Sequence, residues 1–599
     1  MKRALSTLIA LCLLGTVQAL DLQRVTNMAH PRLILREGDM AAVRRAVLQD
    51  AYAAKAHRQI ELATEQIIKE PTSERIKQGK RLLSVSREVL RRVSYCAYMY
   101  LYSGNISYAR RAEQEMLAAA RFSDWNPSHF LDVGEMTAAL ALGYDWLYDV
   151  LSEDSRRAIA SAIVEKGLNP GLGRRAQSNN WGQVCNAGLA MGAIAIAERN
   201  PMLAEEIIAQ SIRNFDATRR FYAPDGIYPE GYGYWEYGTW YHILMVESLR
   251  SAGIDTAGLD RIPGLLRSAQ YMDYMVAPSG RTYNFSDSGG GRNPQMPLLH
   301  WFANEMGDNS VLWHERQRMT KRRVRASRDR MLAVAMLFVA RCDLTNIPRP
   351  TATFWSGDGP VPLIICRDKD SYLAAKGGSP RDSHAHMDGG SFVYEARGVR
   401  WAVDLGSQNY YSLEKRGVKL WSRGQDAQRW DVFRLGPVPH NTLTVNGKKH
   451  IYNGRVKLLA TFNEAERRGG QFDLTSILFD VERAVRTFEM DSHAKACITD
   501  EVTASNQTCN IRWTMSTNAK VTILNRREAL LEQSGKALRL VVAKGSCPTK
   551  ISVTENTPPH DYDWENKNSR RVCIDFKVPR TQSRTLRVEL QPYTAATRR

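Results

Sequence analysis

The 599-residue sequence predicts an α+β protein with a helical N-terminal region followed by antiparallel β-sheets stacked as a sandwich. Residues 30–340 are filled by long stretches in which apolar residues recur at i, i+3, i+4 and i+7, as on one face of a helix. After Pro348 and Pro350, short alternating runs separated by Gly, Asn and Asp turns replace them. A chain of this length exceeds one ordinary core, so the change of pattern near 340–355 predicts a domain boundary.

The first residues have the composition of a secretory signal peptide. Lys2 and Arg3 precede an apolar stretch over 5–17, and small residues ending at Ala19 suit signal-peptide cleavage. We therefore expect residues 1–19 to be removed and the mature protein to be secreted or periplasmic. No later segment reaches the roughly 18 apolar residues of a membrane-spanning helix, so no membrane span is predicted.

The helical region, taken as residues 20–345, divides into amphipathic stretches joined by short polar or Gly/Pro turns. Short turns favour antiparallel helix pairs, and such pairs can close into a toroid whose central funnel is lined by helix ends and loops. The predicted helices are 41–67, 76–103, 107–120, 133–151, 155–166, 185–198, 204–217 and 239–251.

The second region, residues 346–599, consists of short runs bounded by turn residues, which is typical of antiparallel sheets. The predicted strands are 362–366, 371–376, 390–397, 400–404, 441–446, 456–463, 480–489, 494–505, 511–516, 520–525, 537–542 and 584–591.

The net charge of +19 indicates a basic surface or a polyanionic partner. For an exported protein, an acidic polysaccharide is a better candidate than nucleic acid. The densest basic run, residues 316–330, is predicted to be an exposed helix with a solvated face. Beyond the signal peptide the cysteines show no CxxC spacing, so no cysteine metal site is expected, and both disulfides and buried free thiols remain open.

The segment SHAHMDGG, residues 383–390, places two histidines two residues apart before a predicted strand. Residues i and i+2 of a strand share one face, so both imidazoles can serve one site. Asp404 and His440 stand at the edges of later apolar strands. Two histidines and one carboxylate suit a zinc-like ion better than calcium or magnesium. The alternative is a strand-edge pair hydrogen-bonded to the backbone.

Two segments of the helical region are rich in amide and phenol groups. Asn179 and Asn180 precede a helix, where an asparagine normally caps the first turn. Residues 224–242 contain five tyrosines interleaved with glycines, a composition that is hard to bury as a plain core helix. Three further side chains are candidate sugar platforms, with ordinary packing as the alternative: Trp125, His129 and Trp235.

Six segments together resemble the heparinase II/III-like polysaccharide lyases, a family of glycosaminoglycan lyases with alginate lyases as relatives. They are NNWGQVCNAG, DGIYPEGYGYWEYG, FSDSG, SHAHMDGGSF, WAVDLG and PHNTLTVNG, and their order spans nearly the whole mature chain. The resemblance implies an incomplete (α/α) toroid followed by antiparallel β-sheets. It also implies a substrate such as heparan sulfate, chondroitin sulfate or hyaluronan, with alginate as the alternative.

The chemistry of such lyases explains these residue types. β-Elimination beside a uronate removes the C5 proton, which becomes acidic once hydrogen-bond donors neutralise the neighbouring carboxylate. Position by position, the resemblance implies that Asn180 and His384 are these donors and that Tyr234 is the base and the acid. A phenol with an ordinary pKa of about 10 must have that pKa lowered to act as a base. Asn179 and Tyr237 remain alternatives to Asn180 and Tyr234.

The resemblance further implies a structural divalent metal, zinc, held by His386, Asp404 and His440 where the sheet meets the toroid. Because His384 would then face the substrate and His386 the metal, the pair is expected in the turn that leads into the strand. Tyr410 or its neighbour Tyr411 is expected to contact the substrate near the leaving group. Several relatives place a histidine directly after the key asparagine, whereas this chain has Trp181 there. With one tyrosine as base and acid, syn elimination is favoured.

Two other classes remain as alternatives to a lyase. A toroidal glycoside hydrolase would need two carboxylates across the funnel, for which Glu230, Glu236 and Asp287 are available. A glycan-binding protein without turnover would need no catalytic carboxylates. Only elimination leaves an unsaturated uronate that absorbs ultraviolet light, so the product separates these classes.

Overall fold

A computed structural model describes residues 22–289, 295–464 and 466–593, and the predicted signal peptide lies outside the described residues. The predicted fold class is confirmed, because helices occupy the N-terminal part and antiparallel sheets follow. The helices are α1 Leu22–Thr26, α2 Asp39–Gln49, α3 Ala51–Ile67, α4 Leu83–Ser103, α5 Ile106–Ala120, α6 Leu131–Trp146, α7 Glu153–Ala162, α8 Asn169–Gly171, α9 Asn180–Ala195, α10 Pro201–Phe215, α11 Tyr232–Ser251, α12 Ser268–Tyr274, α13 Leu299–Met306, α14 Trp313–Lys321, α15 Leu332–Arg341 and α16 Tyr410–Glu414.

The helical region is a double-layered ring. Helices α4, α6, α9 and α11 pack against one another in that order and form the inner layer. Every residue of α6 and nearly every residue of α9 is buried, as expected for helices that are apolar all round. The amphipathic helices α3, α5 and α10 lie outside them. The last helix, α15, packs on α2 and α3, which brings the two ends of the helical region together.

Several predicted helix limits differ from the observed ones for local reasons. The predicted helix 41–67 is broken at Asp50, whose side chain accepts a hydrogen bond from the Ala53 N–H at 2.9 Å and thereby begins α3. Within the basic run 316–330, the helix ends at Lys321 and the remainder is irregular, so the prediction of one exposed helix was wrong for its second half.

The β region contains three antiparallel sheets, with strand orders β1-β2-β3-β4-β5, β12-β13-β14-β17-β10-β9-β8-β7 and β15-β16-β11-β6. The strands are β1 Phe354–Gly357, β2 Leu363–Arg367, β3 Ser371–Lys376, β4 Phe392–Ala396, β5 Val399–Ala402, β6 Leu443–Val445, β7 Lys457–Glu464, β8 Arg467–Asp473, β9 Val481–Met490, β10 Ala496–Ala504, β11 Cys509–Thr517, β12 Lys520–Asn525, β13 Glu528–Gln533, β14 Lys536–Val542, β15 Thr549–Glu555, β16 Arg570–Val578 and β17 Ser583–Tyr593.

The five-stranded sheet is the layer that joins the two regions. Leu363 and Ile365 of β2 belong to the apolar core of the helical region, whereas Ile364 and Cys366 belong to the core of the β region. Because successive residues of a strand point to opposite faces, this sheet is buried on both sides. It fixes the loops at its ends against the toroid.

Two further properties concern the described part of the chain. No helix there combines the length and apolar character needed to cross a membrane. All eight cysteines from Cys96 to Cys573 are free thiols. Of the two alternatives for these cysteines, disulfides or free thiols, the structure has free thiols.

Candidate active site

A cavity of about 780 Å³ lies where loops of the β region meet the toroid. Its walls come from the start of α9, the start of α11, the segment 287–289, residues 383 and 384, and α16. Seven residues predicted to be catalytic or substrate-binding line it: Asn179, Asn180, His129, Tyr234, Tyr237, His384 and Tyr410.

The two neighbouring asparagines have different surroundings. Asn179 caps α9, because its side-chain oxygen accepts a hydrogen bond from the Trp181 N–H at 3.1 Å. Asn180 is the first residue of the helix and is only 2% exposed, yet its Oδ1 atom has no hydrogen-bond partner. Since the cap is already supplied by Asn179, the amide of Asn180 is available to a ligand in the cavity.

The tyrosine-rich segment is partly core and partly cavity wall. Tyr228, Tyr232 and Tyr241 are buried, so the expectation that these phenols avoid a plain core was wrong for three of the five. Tyr234 and Tyr237 lie three residues apart on one face of α11 and line the cavity. The guanidinium of Arg87 lies 4.5 Å from the ring centre of Tyr237.

The two histidines of the SHAHMDGG segment lie in a loop rather than on a strand. His384 has a left-handed backbone with φ of 58°, and β4 begins only at Phe392. The same-face argument from strand geometry was therefore wrong. The histidines nevertheless serve one group, because His384 Nδ1 and His386 Nε2 each lie 3.0 Å from a different carboxylate oxygen of Asp287.

Asp287 is the hub of the site. Its buried carboxylate also accepts hydrogen bonds from the Tyr410 hydroxyl and from Arg429 Nη2, each at 2.9 Å. Burial alone would raise the pKa of Asp287, but the charge of Arg429 and the two histidine donors hold that pKa well below its ordinary value. This aspartate therefore anchors both halves of the site as a permanent anion.

The two cavity phenols are hydrogen-bonded to each other. The hydroxyls of Tyr234 and Tyr410 lie 2.7 Å apart, and the Tyr234 ring stacks on His384 with centroids 4.0 Å apart. Tyr410 donates its proton to Asp287, so Tyr234 is the donor of the phenol pair. Burial and the charge of Asp287 raise the pKa of Tyr234, whereas the hydrogen bond with Tyr410 acts in the opposite direction, because the Tyr410 hydroxyl can donate to a Tyr234 phenolate. The pKa of Tyr234 is therefore raised, and not lowered as expected of a base.

The remaining predicted sugar contacts divide between wall and core. His129 lines the cavity, where its Nδ1 atom contacts Asp132 at 2.8 Å and its ring meets Trp181 edge-on. Trp125 and Trp235 are fully buried and form no part of the wall. These two tryptophans therefore pack in the core, which was the alternative to their predicted role as sugar platforms.

One known family model matches most of the β region. Residues 363–589 match the sequence model of the family described as Heparinase II/III-like, C-terminal. The β region is therefore similar to this C-terminal domain. No curated protein sequence matches the chain.

Solved structures extend the likeness over both regions. Heparinase III superposes with a TM-score of 0.61 over 95% of this chain and 87% of its own, at 13% identity. Heparan sulfate lyase from Pedobacter heparinus gives a TM-score of 0.56 over 94% of this chain and 92% of its own, at 14% identity. At such identities the likeness establishes a shared fold, a helical toroid followed by a β-sandwich.

The β region contains a group of side chains that fits a metal ion. Among the described residues, potential ligand atoms of His386, Asp388 and His440 lie within 4.8 Å of one another. His386 Nδ1 and Asp388 Oδ2 are buried without a hydrogen-bond partner, which leaves two donor atoms for a cation. The other oxygen of Asp388 pairs with Lys376 Nζ at 2.5 Å. Two imidazoles and a carboxylate match the ligand preferences of zinc.

Asp404, the carboxylate predicted from the sequence, occupies a different place in this group. Its Oδ2 atom lies 3.0 Å from His440 Nδ1, and its Oδ1 atom accepts the Gly406 N–H at 2.7 Å. His440 Nε2 lies 3.0 Å from the Arg434 carbonyl, so both nitrogens of His440 face acceptors. Burial lowers the pKa of His440, but Asp404 more than offsets this and the net pKa is raised. To bind a metal, His440 must exchange one of these contacts for the ion.

Three residues of the site were not predicted from the sequence in the role that the structure gives them. Asp287 lies in the FSDSG segment but was considered only as a hydrolase carboxylate. Asp388 follows His386 by two residues, so the pattern HxHxD was a readable signal for a third ligand. Arg429 is 6% exposed and comes from a short 3-10 helix, Gln428–Asp431, that no local pattern marks.

Proposed function

We propose that this chain is a lyase that cleaves uronate-containing anionic polysaccharides by β-elimination, with glycosaminoglycans as substrates. One observation carries the proposal: an amide whose oxygen has no protein partner, an imidazole and a phenol pair line the same cavity, at Asn180, His384, Tyr234 and Tyr410. These are the groups that elimination beside a carboxylate requires. Heparinase III and heparan sulfate lyase, whose fold the chain shares, are named for such substrates.

The proposed binding step neutralises the uronate carboxylate. The Asn180 amide is one donor, and its oxygen and nitrogen ends are close in shape, so either orientation fits the cavity. His384 is the second donor, and it must be an imidazolium in this step because only that form carries an N–H on both ring nitrogens. Because its Nδ1 atom is held by Asp287, its Nε2 atom is presented on the other side of the ring, 3.8 Å from Glu230. Neutralising the carboxylate acidifies the C5–H bond and stabilises the charge that develops.

The proposed chemical step transfers two protons, breaks the C5–H and C4–O bonds and forms one carbon–carbon double bond. A phenolate at Tyr234 takes the C5 proton, the C–H electron pair forms the C4–C5 double bond, and the C4–O bond breaks. The leaving oxygen then takes a proton from a cavity phenol, either Tyr234 or its hydrogen-bonded neighbour Tyr410. Since burial raises the pKa of Tyr234, this step gains from alkaline pH.

The same geometry argues against hydrolysis. A hydrolase needs a carboxylate with free lone pairs to activate water or attack the sugar. The Asp287 carboxylate already accepts hydrogen bonds from four side chains: His384, His386, Tyr410 and Arg429. It is therefore a structural anchor in this proposal. Burial raises the pKa of Glu230, which favours the protonated carboxyl, and a protonated carboxyl cannot activate water as a base.

The finer assignments follow from the same proposal. The substrate is an anionic polysaccharide met outside the cytoplasm, and alginate is the alternative to a glycosaminoglycan. Zinc is the proposed ion for the group around His386 and His440, with Asp404 or Asp388 as the carboxylate. The ion would hold the loop that carries His384 and takes no part in bond breaking.

The proposal is tested by incubating the protein with heparan sulfate, heparin, chondroitin sulfate, hyaluronan and alginate while following ultraviolet absorbance. We expect unsaturated product from at least one glycosaminoglycan. Product from alginate alone would favour the alternative substrate. No unsaturated product from any of the five polysaccharides would contradict the proposed activity.

A further inference from the structure

A second cavity, of about 1160 Å³, lies on the four-stranded sheet β15-β16-β11-β6. It shares no lining residue with the candidate active site. Residues 430–438 and 559–560 flank the sheet face, so the cavity is a groove between loops and strands. We refer to it as the outer-sheet groove.

The groove is built on the face of the sheet that points away from the sandwich core. Trp513 and Ile574 of the neighbouring strands β11 and β16 are buried in the core of the β region. Alternate residues therefore point outward, and β16 contributes Arg571, Cys573, Asp575 and Lys577 to the groove. The strand register places Thr444, Arg512, Asp575 and Lys550 side by side across all four strands.

The charge of the groove is strongly positive. Seven lysine or arginine side chains line it, against two aspartates. Both aspartates are already paired: Asp575 with Arg512 at 2.8 Å and Asp431 with Lys449 at 2.5 Å. Lys448 pairs with Asp480 at 2.8 Å outside the groove. Within the described part of the chain, the other four cations have no carboxylate within 4.0 Å: Lys550, Arg571, Lys577 and Arg584.

Arg571 distinguishes this groove from an ordinary basic surface. It is only 9% exposed, and its Nη1 atom is buried without any hydrogen-bond partner. Its Nη2 atom makes one long contact, 3.4 Å to the Glu555 carbonyl, and its guanidinium lies 5.5 Å from the Phe433 ring centre. A buried charge without a counter-ion is costly, so an anionic ligand that pairs with Arg571 would stabilise the groove. Burial also lowers the pKa of Arg571.

We propose that the outer-sheet groove is a second binding site for an acidic polysaccharide, in which Arg571 holds a carboxylate or sulfate group. Lys550 and Lys577 extend the positive track along the sheet, and Phe433 offers an apolar face to a sugar ring. The choice of a polysaccharide over other polyanions rests on the proposed function. In this role the groove holds a distant part of the polymer while the catalytic cavity acts on one linkage.

The test measures binding of heparan sulfate to the full chain by calorimetry, in a Tyr234→Phe background that prevents cleavage. The groove variant is Lys550→Gln/Arg571→Gln/Lys577→Gln, and we expect its Kd to rise by about 5-fold or more with a shallower dependence on salt. The matched control removes three exposed cations from elsewhere in the β region, as Lys520→Gln/Arg526→Gln/Lys544→Gln. An equal loss in the control would overturn the proposal, and so would an unchanged Kd in the groove variant.

Two further arms keep the result interpretable. If the Arg571 substitution prevents folding, Lys550→Gln/Lys577→Gln alters only exposed side chains and should still weaken binding by about 2-fold or more, measurably beyond the control. With Tyr234 intact, the groove variant should cleave a tetrasaccharide at the parent rate. If the parent cleaves no polysaccharide while the groove variant still loses affinity, the proposed lyase activity is wrong and the proposed binding site in the groove is supported. Equal loss of affinity for duplex DNA would overturn the assignment to a polysaccharide.

Discussion

Replacing Asp287 by asparagine tests whether one buried carboxylate organises the site. The change keeps the shape of the side chain and removes its charge. In the parent, this carboxylate accepts hydrogen bonds from His384, His386, Tyr410 and Arg429, at distances between 2.9 and 3.0 Å. An asparagine offers only one acceptor oxygen and turns an N–H group toward groups that are themselves donors.

The magnitude follows from the buried charge that remains. Arg429 is 6% exposed and has no other carboxylate within 4.0 Å in the described part of the chain. Removing one partner of a buried ion pair costs about 3–5 kcal/mol. We therefore expect Asp287→Asn to lower the free energy of unfolding by that amount. Turnover should fall by about 100-fold or more in protein that is still folded, because His384 loses the contact that fixes its ring.

The assay is equilibrium unfolding in urea followed by tryptophan fluorescence, with turnover measured at low denaturant. The matched control is Asp561→Asn, which removes an ion pair with Arg416 at the surface, where the aspartate side chain is 87% exposed. Such a pair contributes less than about 1 kcal/mol. A stability of Asp287→Asn within the range of the control would refute the role given to this carboxylate.

Four other changes address separate parts of the account. Tyr234→Phe should abolish turnover without altering stability by more than about 1 kcal/mol, whereas Tyr237→Phe should keep most activity; the reverse pattern in a turnover assay would move the base by one helical turn. Tyr410→Phe removes a hydrogen bond that lowers the pKa of Tyr234, so the rising limb of the pH–rate profile should shift to higher pH, and an unshifted limb would contradict the pairing. Burial raises the pKa of Glu236 to about 8, so folded protein binds more protons than unfolded protein between about pH 4.5 and 8 and loses stability as the pH rises through that range; Glu236→Gln should flatten this dependence in urea titrations at several pH values. His386→Ala should lose bound zinc by elemental analysis, and a full zinc content in that variant would exclude His386 as a ligand.

The two-part architecture could be predicted from the sequence because its signals are local. Helical periodicity and β alternation are set by the neighbours along the chain, and both were strong. Strand β8 was missed because Gly469 and Gly470 interrupt its apolar pattern, although the strand pairs with β7 and β9. Its stability comes from neighbouring strands, which no window of sequence contains.

The residues of the site were more predictable than its geometry. The motifs identified Asn180, Tyr234 and His384, and the structure brings all three to one cavity. What could not be predicted is the hub, because Asp287 and Arg429 lie far apart in sequence and meet only after the β region folds onto the toroid. A positive φ at His384 likewise has no signature in a segment that precedes a strand.

The most direct test of the proposed elimination is the ratio of two products in one digest. Each β-elimination creates one new reducing end and one unsaturated uronate, so the two should rise together in a ratio of about one to one. We predict this ratio for the parent on a cleaved glycosaminoglycan, and no rise of either product for Tyr234→Phe. New reducing ends without ultraviolet absorbance would show hydrolysis and contradict the account.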